Sequence, residues 1–206
     1  LREYRGDDGS IYSWNLRSTS DQRPLYWDSP FFTLYENVSE DERNRLFGNF
    51  TTKYQLNENL SFDGTVRTDM YDFVIEDRIG SGGLETDAYS MEKITLREMN
   101  YEGRATYQTG FSSFNVRGIL GGNYMEKNTS NSYSATSGGL SLPGFYNLDA
   151  SIDRPDVSTG TSNRAINSIF GQLALDYGGW LYTDFSLRND VSSTLPTNNN
   201  SYTYYS

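Results

Sequence analysis

From residue 45 onward the chain alternates apolar and polar positions. Leu46, Gly48, Phe50, Thr52, Tyr54 and Leu56 stand against Arg45, Phe47, Asn49, Thr51, Lys53 and Gln55. Residues 60–70 repeat the pattern, with Leu60, Phe62, Val66 and Met70 on one set and Ser61, Asp63, Arg67 and Asp69 on the other. So do residues 101–107, 114–124, 169–177 and 181–189. Side chains two apart share one face of a strand, so the six segments predict six strands, each with one apolar and one polar face. No amphipathic helix of similar quality competes, and the expected fold is all-β. Tyr202, Tyr204 and Tyr205 begin a further alternating stretch.

The connections carry a second periodicity. Residues 57–59, 108–113 and 178–180 are short; residues 79–100, 125–168 and 190–201 are long. In an antiparallel up-and-down sheet this sorting puts all tight turns on one edge and all long loops on the other. Outer-membrane barrels are built that way, with short periplasmic turns and long extracellular loops. A strand of about ten residues, rising about 3.4 Å each and tilted near 40°, spans about 25 Å, the height of the apolar band on such barrels. The apolar sets then face lipid, and Arg67, Asp69, Glu102, Arg104, Arg117, Asp184 and Arg188 face the lumen. Tyr54, Tyr107, Phe111, Tyr177 and Trp180 fall near the short-turn edge, where an interfacial aromatic belt belongs. The same charges also fit the solvated outer face of a soluble sandwich. Six full strands are too few to close a barrel, since the smallest have about eight, so the chain is expected to be an internal piece of a longer one.

Composition narrows the field. Of 206 residues 35% are hydrophobic and 15% aromatic, with 17 Tyr, so rings supply apolar surface that Leu, Ile and Val usually supply. That balance suits pleated sheets and not disorder. With no Cys and no His, thiolate and imidazole metal sites, Cys nucleophiles and His-based triads are excluded within the chain. A net charge of −10 argues against nucleic acid as a partner. No signal peptide is expected at the start, and no run approaches the roughly 18 apolar residues of a membrane helix.

Four blocks carry a family likeness: FFTLYENVSEDERNRLFGNF (31–50), GGLSLPGFYNLDASIDRP (138–155), INSIFGQLALDY (166–177) and LRNDVSSTLPTNNNSYTYYS (187–206). In order and spacing the chain closely resembles the barrel of SusC/RagA-type TonB-dependent transporters of Bacteroidetes outer membranes, over most of its length. The family barrel has about 22 strands. The resemblance implies that residues 1–206 are part of one barrel domain, without plug, signal peptide or carboxy-terminal strands. Val191 departs from the family, which usually shows Trp after Arg-Asn-Asp. The implied function of the parent is import of oligosaccharides or peptides across the outer membrane. The implied partners are the TonB–ExbB–ExbD system, reached through segments lacking here, and a SusD-like surface lipoprotein. Residues 79–100 and 125–168 would then be extracellular. The stretch NTSNSYSATSGG (128–139) is polar and nearly uncharged, and Tyr133, Phe145 and Tyr146 are the candidate ligand-stacking rings. Packing that keeps a long loop compact is the alternative role for those rings.

Other motifs are weaker. Arg5-Gly6-Asp7 matches an adhesion tripeptide, and three residues match readily by chance. The run Gly80-Ser81-Gly82-Gly83 lacks the Lys of a phosphate loop and reads as a flexible loop tip. The acidic clusters RGDDGS (5–10) and SEDE (39–42) lack the spacing of a calcium loop. Neither a metal nor a cofactor is assigned, and no catalytic pair stands out, so the chain is not expected to be an enzyme. The reading is transport, with a glycan-binding β-sandwich and a structural barrel or adhesin as alternatives.

Overall fold

The computed structural model describes residues 3–7, 9–21 and 23–206. Seven strands follow one short helix: α1 (Pro30–Glu36), then β1 (Val38–Gln55), β2 (Leu60–Ile79), β3 (Ala88–Phe111), β4 (Phe114–Leu140), β5 (Ser151–Tyr177), β6 (Leu181–Ser192) and β7 (Ser201–Tyr205). They make one antiparallel sheet in sequential order, open at β1 and β7. A sandwich needs a second sheet, and none exists among the described residues. The further alternating stretch begun by Tyr202, Tyr204 and Tyr205 is a strand, with Leu187 opposite Tyr205 and Asp190 opposite Tyr202.

Short and long connections alternate as expected, but the long ones are much shorter than the hydrophobic pattern implied. Residues 88–100, 125–140 and 151–168, read from sequence as loop, are strand. What remains of the long connections is residues 80–87, 141–150 and 193–200. The reason is local: in 128–139 both alternate sets are polar, so no contrast marks a strand, and the backbone ladder alone holds the extended chain.

By contacts the chain divides into two compact units. The first comprises residues 1–44, 72–95 and 130–160, the second 45–71, 96–129 and 161–206. In the first unit, Pro30 sits at the start of α1, where its missing N–H costs nothing, and the extended Asn37 ends the helix. The buried ring of Phe32 lies against Gly80 and Gly83. A Cβ built on Gly83 would come within 2.7 Å of Phe32 Cε1, and one on Gly80 within 2.5 Å of Glu36 Cβ. The glycine run expected to be a flexible tip is therefore a packed joint. Polar side chains complete it: the Leu84 N–H donates to both Asp28 carboxylate oxygens (3.0 Å each) and the Gly80 N–H to Asn37 Oδ1 (2.9 Å).

The connection 141–150 is held in the same manner. Asp87 accepts from the Leu140 N–H (3.0 Å) and from Ser81 Oγ (2.5 Å), and Ser81 Oγ accepts from the Gly144 N–H (3.1 Å). Beneath these bonds lies a small core of Tyr89, Leu140 and Ala150, flanked by Met91, Tyr146 and Leu148.

In the second unit the turns are tight. Asn57 Oδ1 accepts from the Asn59 and Leu60 N–H groups (2.9 Å each). Gly178 and Gly179 both take positive φ (60° and 76°), which glycine adopts without a Cβ clash.

Replacing Gly83 by Ala is expected to unseat Phe32 and lower stability by about 1–3 kcal/mol, the cost of overpacking a filled site. Gly103→Ala, with open space around it, is the control and should change little. Denaturant unfolding of both variants decides it.

Candidate functional site

The second unit is a wall with one apolar and one polar face, and nothing packs against the apolar one. Phe50 is 73% exposed and Leu120 63%, whereas Thr65 is 7% exposed and Ser168 9%. The β5–β6 register shows how the sorting arises. Leu173 lies opposite Phe185, Gly171 opposite Leu187 and Tyr177 opposite Leu181 on one face. Phe170 lies opposite Arg188, Gln172 opposite Ser186 and Ala174 opposite Asp184 on the other. On that polar face Gln172, Asp184 and Arg188 are exposed too, and only small side chains such as Thr65 and Ser168 are shielded by longer neighbours. An apolar face with nothing packed against it, backed by a polar one, is the arrangement expected of a sheet between hydrocarbon and water.

On the polar face the residues expected to line a lumen pair mostly with other polar side chains, and of the seven Arg67 and Glu102 bond each other. Arg45 forks onto Asp69 (2.8 and 2.6 Å). Arg67 reaches Glu102 (3.2 Å) and Asn100 (3.1 Å), and Arg104 reaches Asp63 (3.4 Å). Asp184 accepts from Gln172 (3.0 and 2.8 Å). Arg188 donates to Asp190 (2.8 Å) and Ser168 (2.9 Å), with its guanidinium 5.7 Å from the centre of the Phe170 ring. Arg117 lies in a depression of about 300 Å³ with Gln108, Asn115, Asp176, Tyr182 and Asp184.

Three of the five rings read from sequence as a belt, Phe111, Tyr177 and Trp180, join through Phe114 in a chain of ring contacts. Phe111 stacks on Phe114 (5.5 Å), Phe114 packs on Tyr177 (4.6 Å), and Tyr177 meets Trp180 edge-on (5.8 Å). Phe114 was not counted in that belt, although it follows the turn directly. Tyr54 and Tyr107, like Trp180, are exposed. Along each strand the apolar set then gives out at a similar point: Leu46 is followed by Asn44, Met70 by Asp72, Met99 by Arg97, Tyr124 by Glu126 and Ile169 by Asn167.

In the first unit the three candidate ligand-stacking rings do not form one site. Tyr133 lies within β4 and not in a loop, and is exposed, as is Phe145. Tyr146 packs on the Tyr89–Leu140–Ala150 core, with the Arg78 guanidinium 5.9 Å from its ring centre. Arg78 also pairs with Glu76 (3.3 Å) and Glu40 (3.5 Å), and the Tyr89 hydroxyl donates to Glu76 (3.0 Å). Burial and then this bond to Glu76 push the Tyr89 phenol above its ordinary value. Arg5 of the adhesion-like tripeptide is engaged by Glu36 (3.0 Å). The acidic run 39–42 is part of β1, while Asp8 of the other acidic run lies outside the described residues. No group of three metal-ligating side chains occurs among the described residues.

Sequence reasoning missed Asn15, whose buried side chain ties Ser13 and the backbone of residues 25–27 together. No hydrophobic period runs through that stretch; the only signal was a lone Asn among aromatic residues.

Fold and faces define an open section of an up-and-down barrel wall, and comparison with solved structures agrees. No family model matches the chain, and no curated protein matches it in sequence. In a structure of the RagAB peptide transporter, 96% of this chain superposes on 22% of one chain, with a TM-score of 0.74 and 18% identity. The RagAB peptide importer in its open-open state gives 0.73, and in its closed-closed state 0.71, again at 18% identity and 22% of that chain. The matched portion is RagA, a SusC/RagA TonB-dependent transporter that pairs with RagB in the complex. At this identity the likeness establishes the fold, and the resemblance read from the sequence is met at that level.

Because the folded chain favours the neutral Tyr89 phenol, the stability it contributes is present below the ordinary phenol range near pH 10 and is lost as pH rises through the raised value. Alkaline absorbance titration of wild type minus Tyr89→Phe is expected to show one phenol ionising above the ordinary phenol range.

Proposed function

We propose that this chain is part of the barrel wall of a TonB-dependent outer-membrane transporter of the SusC/RagA type, in a Gram-negative, Bacteroidetes-like cell. The supporting observation is the open apolar face of an up-and-down sheet, with Phe50, Leu120, Phe185 and Leu187 uncovered, opposite a face that carries the charged residues. The parent protein imports oligosaccharides or peptides, energised through TonB–ExbB–ExbD, with a SusD-like lipoprotein closing over the mouth. It performs no chemistry on its cargo. The apolar set contacts outer-membrane lipid. Arg67, Asp69, Glu102, Arg104, Arg117, Asp184 and Arg188 line the polar interior, and the connections 80–87, 141–150 and 193–200 lie outside the cell. Tyr133 and Phe145 supply ligand-facing rings, while Tyr146 fixes the connection that carries Phe145.

The full-length protein is expected in the outer-membrane fraction, extractable only with detergent. Recovery as a monodisperse soluble species without detergent would sink the reading, because the apolar set would then face water. Leu120→Arg is expected to destabilise the protein in lipid by about 2–4 kcal/mol, against far less for Gln172→Arg on the polar face. Unfolding titrations in vesicles measure the difference. Cells lacking the gene, offered oligosaccharide or peptide as sole carbon source, distinguish an importer from an adhesin.

A further inference from the structure

Strand β6 covers only part of β5. It pairs with residues 166–177, from Ile166 opposite Ser192 to Tyr177 opposite Leu181. The ladder is closed at Ala165, whose N–H donates to Ser193 Oγ (2.8 Å) and whose carbonyl accepts from the Ser193 N–H (2.9 Å). From there the chain turns away through residues 193–200 into β7, which pairs with β6. The other side of β5 is taken by β4. Among the described residues, 151–164 therefore have one strand neighbour and one open edge.

Backbone groups alternate sides along a strand, so the odd-numbered residues face the edge that Ala165 faces. The N–H and C=O groups of Val157, Thr159, Thr161 and Asn163 point into it. Pro155 belongs to the same set and has no N–H to offer, which is where an edge strand tolerates proline. Residues 157–163 carry no charge. Open edges recruit other strands, and charge along them is the usual guard. Here the charges stand only at the two ends. Asp156 and Arg164 are exposed, lie on one face by their even spacing, and have no ion-pair partner among the described residues.

A neutral ladder with an acid at one end and a base at the other prescribes its occupant. The backbone of an extended segment completes the ladder, with a basic side chain opposite Asp156 and an acidic one opposite Arg164. A second copy of this chain does not fit. In the antiparallel register that sets its Arg164 against Asp156, its Ala165 lies opposite Pro155, and its own Ser193 claims the place of Pro155. Mixed cargo does not fit either, because a fixed length and charge order select one sequence.

We propose that residues 156–164 of β5 are a docking strand, to which a constant extended segment of a second protein adds in antiparallel fashion. Strand β5 starts from the connection 141–150, so on the transporter reading, on which this placement rests, the docking strand stands outside the cell.

The test uses the full-length protein in detergent and a probe peptide with one residue opposite each of 156–164. The probe begins with Glu, ends with Lys and alternates Thr and Val between them. Amide hydrogen exchange reads the edge. Without the probe the N–H groups of Val157, Thr159, Thr161 and Asn163 are expected to exchange freely; with it they are expected to slow about tenfold or more. A probe with its two charges exchanged is expected to bind about tenfold more weakly, since two attractive pairs become two like-charge pairs. Asp156→Lys combined with Arg164→Glu leaves the backbone edge intact and is expected to reverse that preference. Failure of the first probe to bind overturns the proposal, as do equal affinities for the two probes or an unreversed preference in the double variant. Edge amides already protected in the protein alone overturn it too, because its own chain then covers the edge. Uptake of the probe by cells, lost in the double variant, makes the edge a cargo site and overturns it equally. Membrane fractionation judges the transporter reading separately: a protein outside the outer membrane removes that reading and leaves the exchange result on the edge standing.

Discussion

The antiparallel ladder satisfies the backbone of each strand through its neighbours and leaves the side chains to sort into two sets with a period of two. Everything else in this molecule follows from how those two sets are spent. In a soluble sheet the apolar set is buried and the polar set is wet. Here Leu173, Phe185 and Leu187 stand uncovered while Ser61, Thr65 and Ser168 are shielded by their neighbours. An apolar face of this extent needs apolar cover, and any part of it placed in hydrocarbon must leave no backbone group unpaired. Within the apolar band the ladder meets the second demand along the inner strands β2–β5, with β1 and β7 as open edges, and the exposed apolar set states the first.

The ion pairs on the polar face have a different weight. Arg45–Asp69, Arg67–Glu102 and Arg104–Asp63 are all partly exposed, with the arginine side chains near half exposure. Pairs of this kind contribute about 0–1 kcal/mol each, so they do not hold the wall together. Their contribution is specificity: a one-residue slip would carry each carboxylate to the apolar face and separate it from its arginine. The pairs also leave the polar face patterned with compensated charge.

Beyond the apolar band the structure relies on another kind of bond. The first unit buries few large side chains, chiefly Phe32, Tyr89 and Leu140. Asn15, Asp28, Asn37, Ser81 and Asp87 do the fixing instead, each bonding backbone N–H groups of a remote segment. Side-chain acceptors of this kind close connections that lack enough apolar surface to pack. Phe32 is the exception, an apolar wedge seated only because two glycines leave room for it.

The sequence alone determined the class of fold, the strand cores, the sorting of connections and the residues on each face. Those properties are local, because alternation of Phe62 with Asp63 or of Leu187 with Arg188 expresses itself within one strand. The tyrosine strand β7 was legible for the same reason, and so was most of the aromatic belt. The true lengths of β3, β4 and β5 were not, since residues 128–139 carry polar side chains on both faces and are extended only because neighbouring strands pair with them. Nor was the difference between Tyr146, built into a core, and Tyr133, left free. Which polar side chain reaches which distant N–H depends on segments far apart in sequence, as Asp28 and Leu84 are, and only the folded chain brings them together.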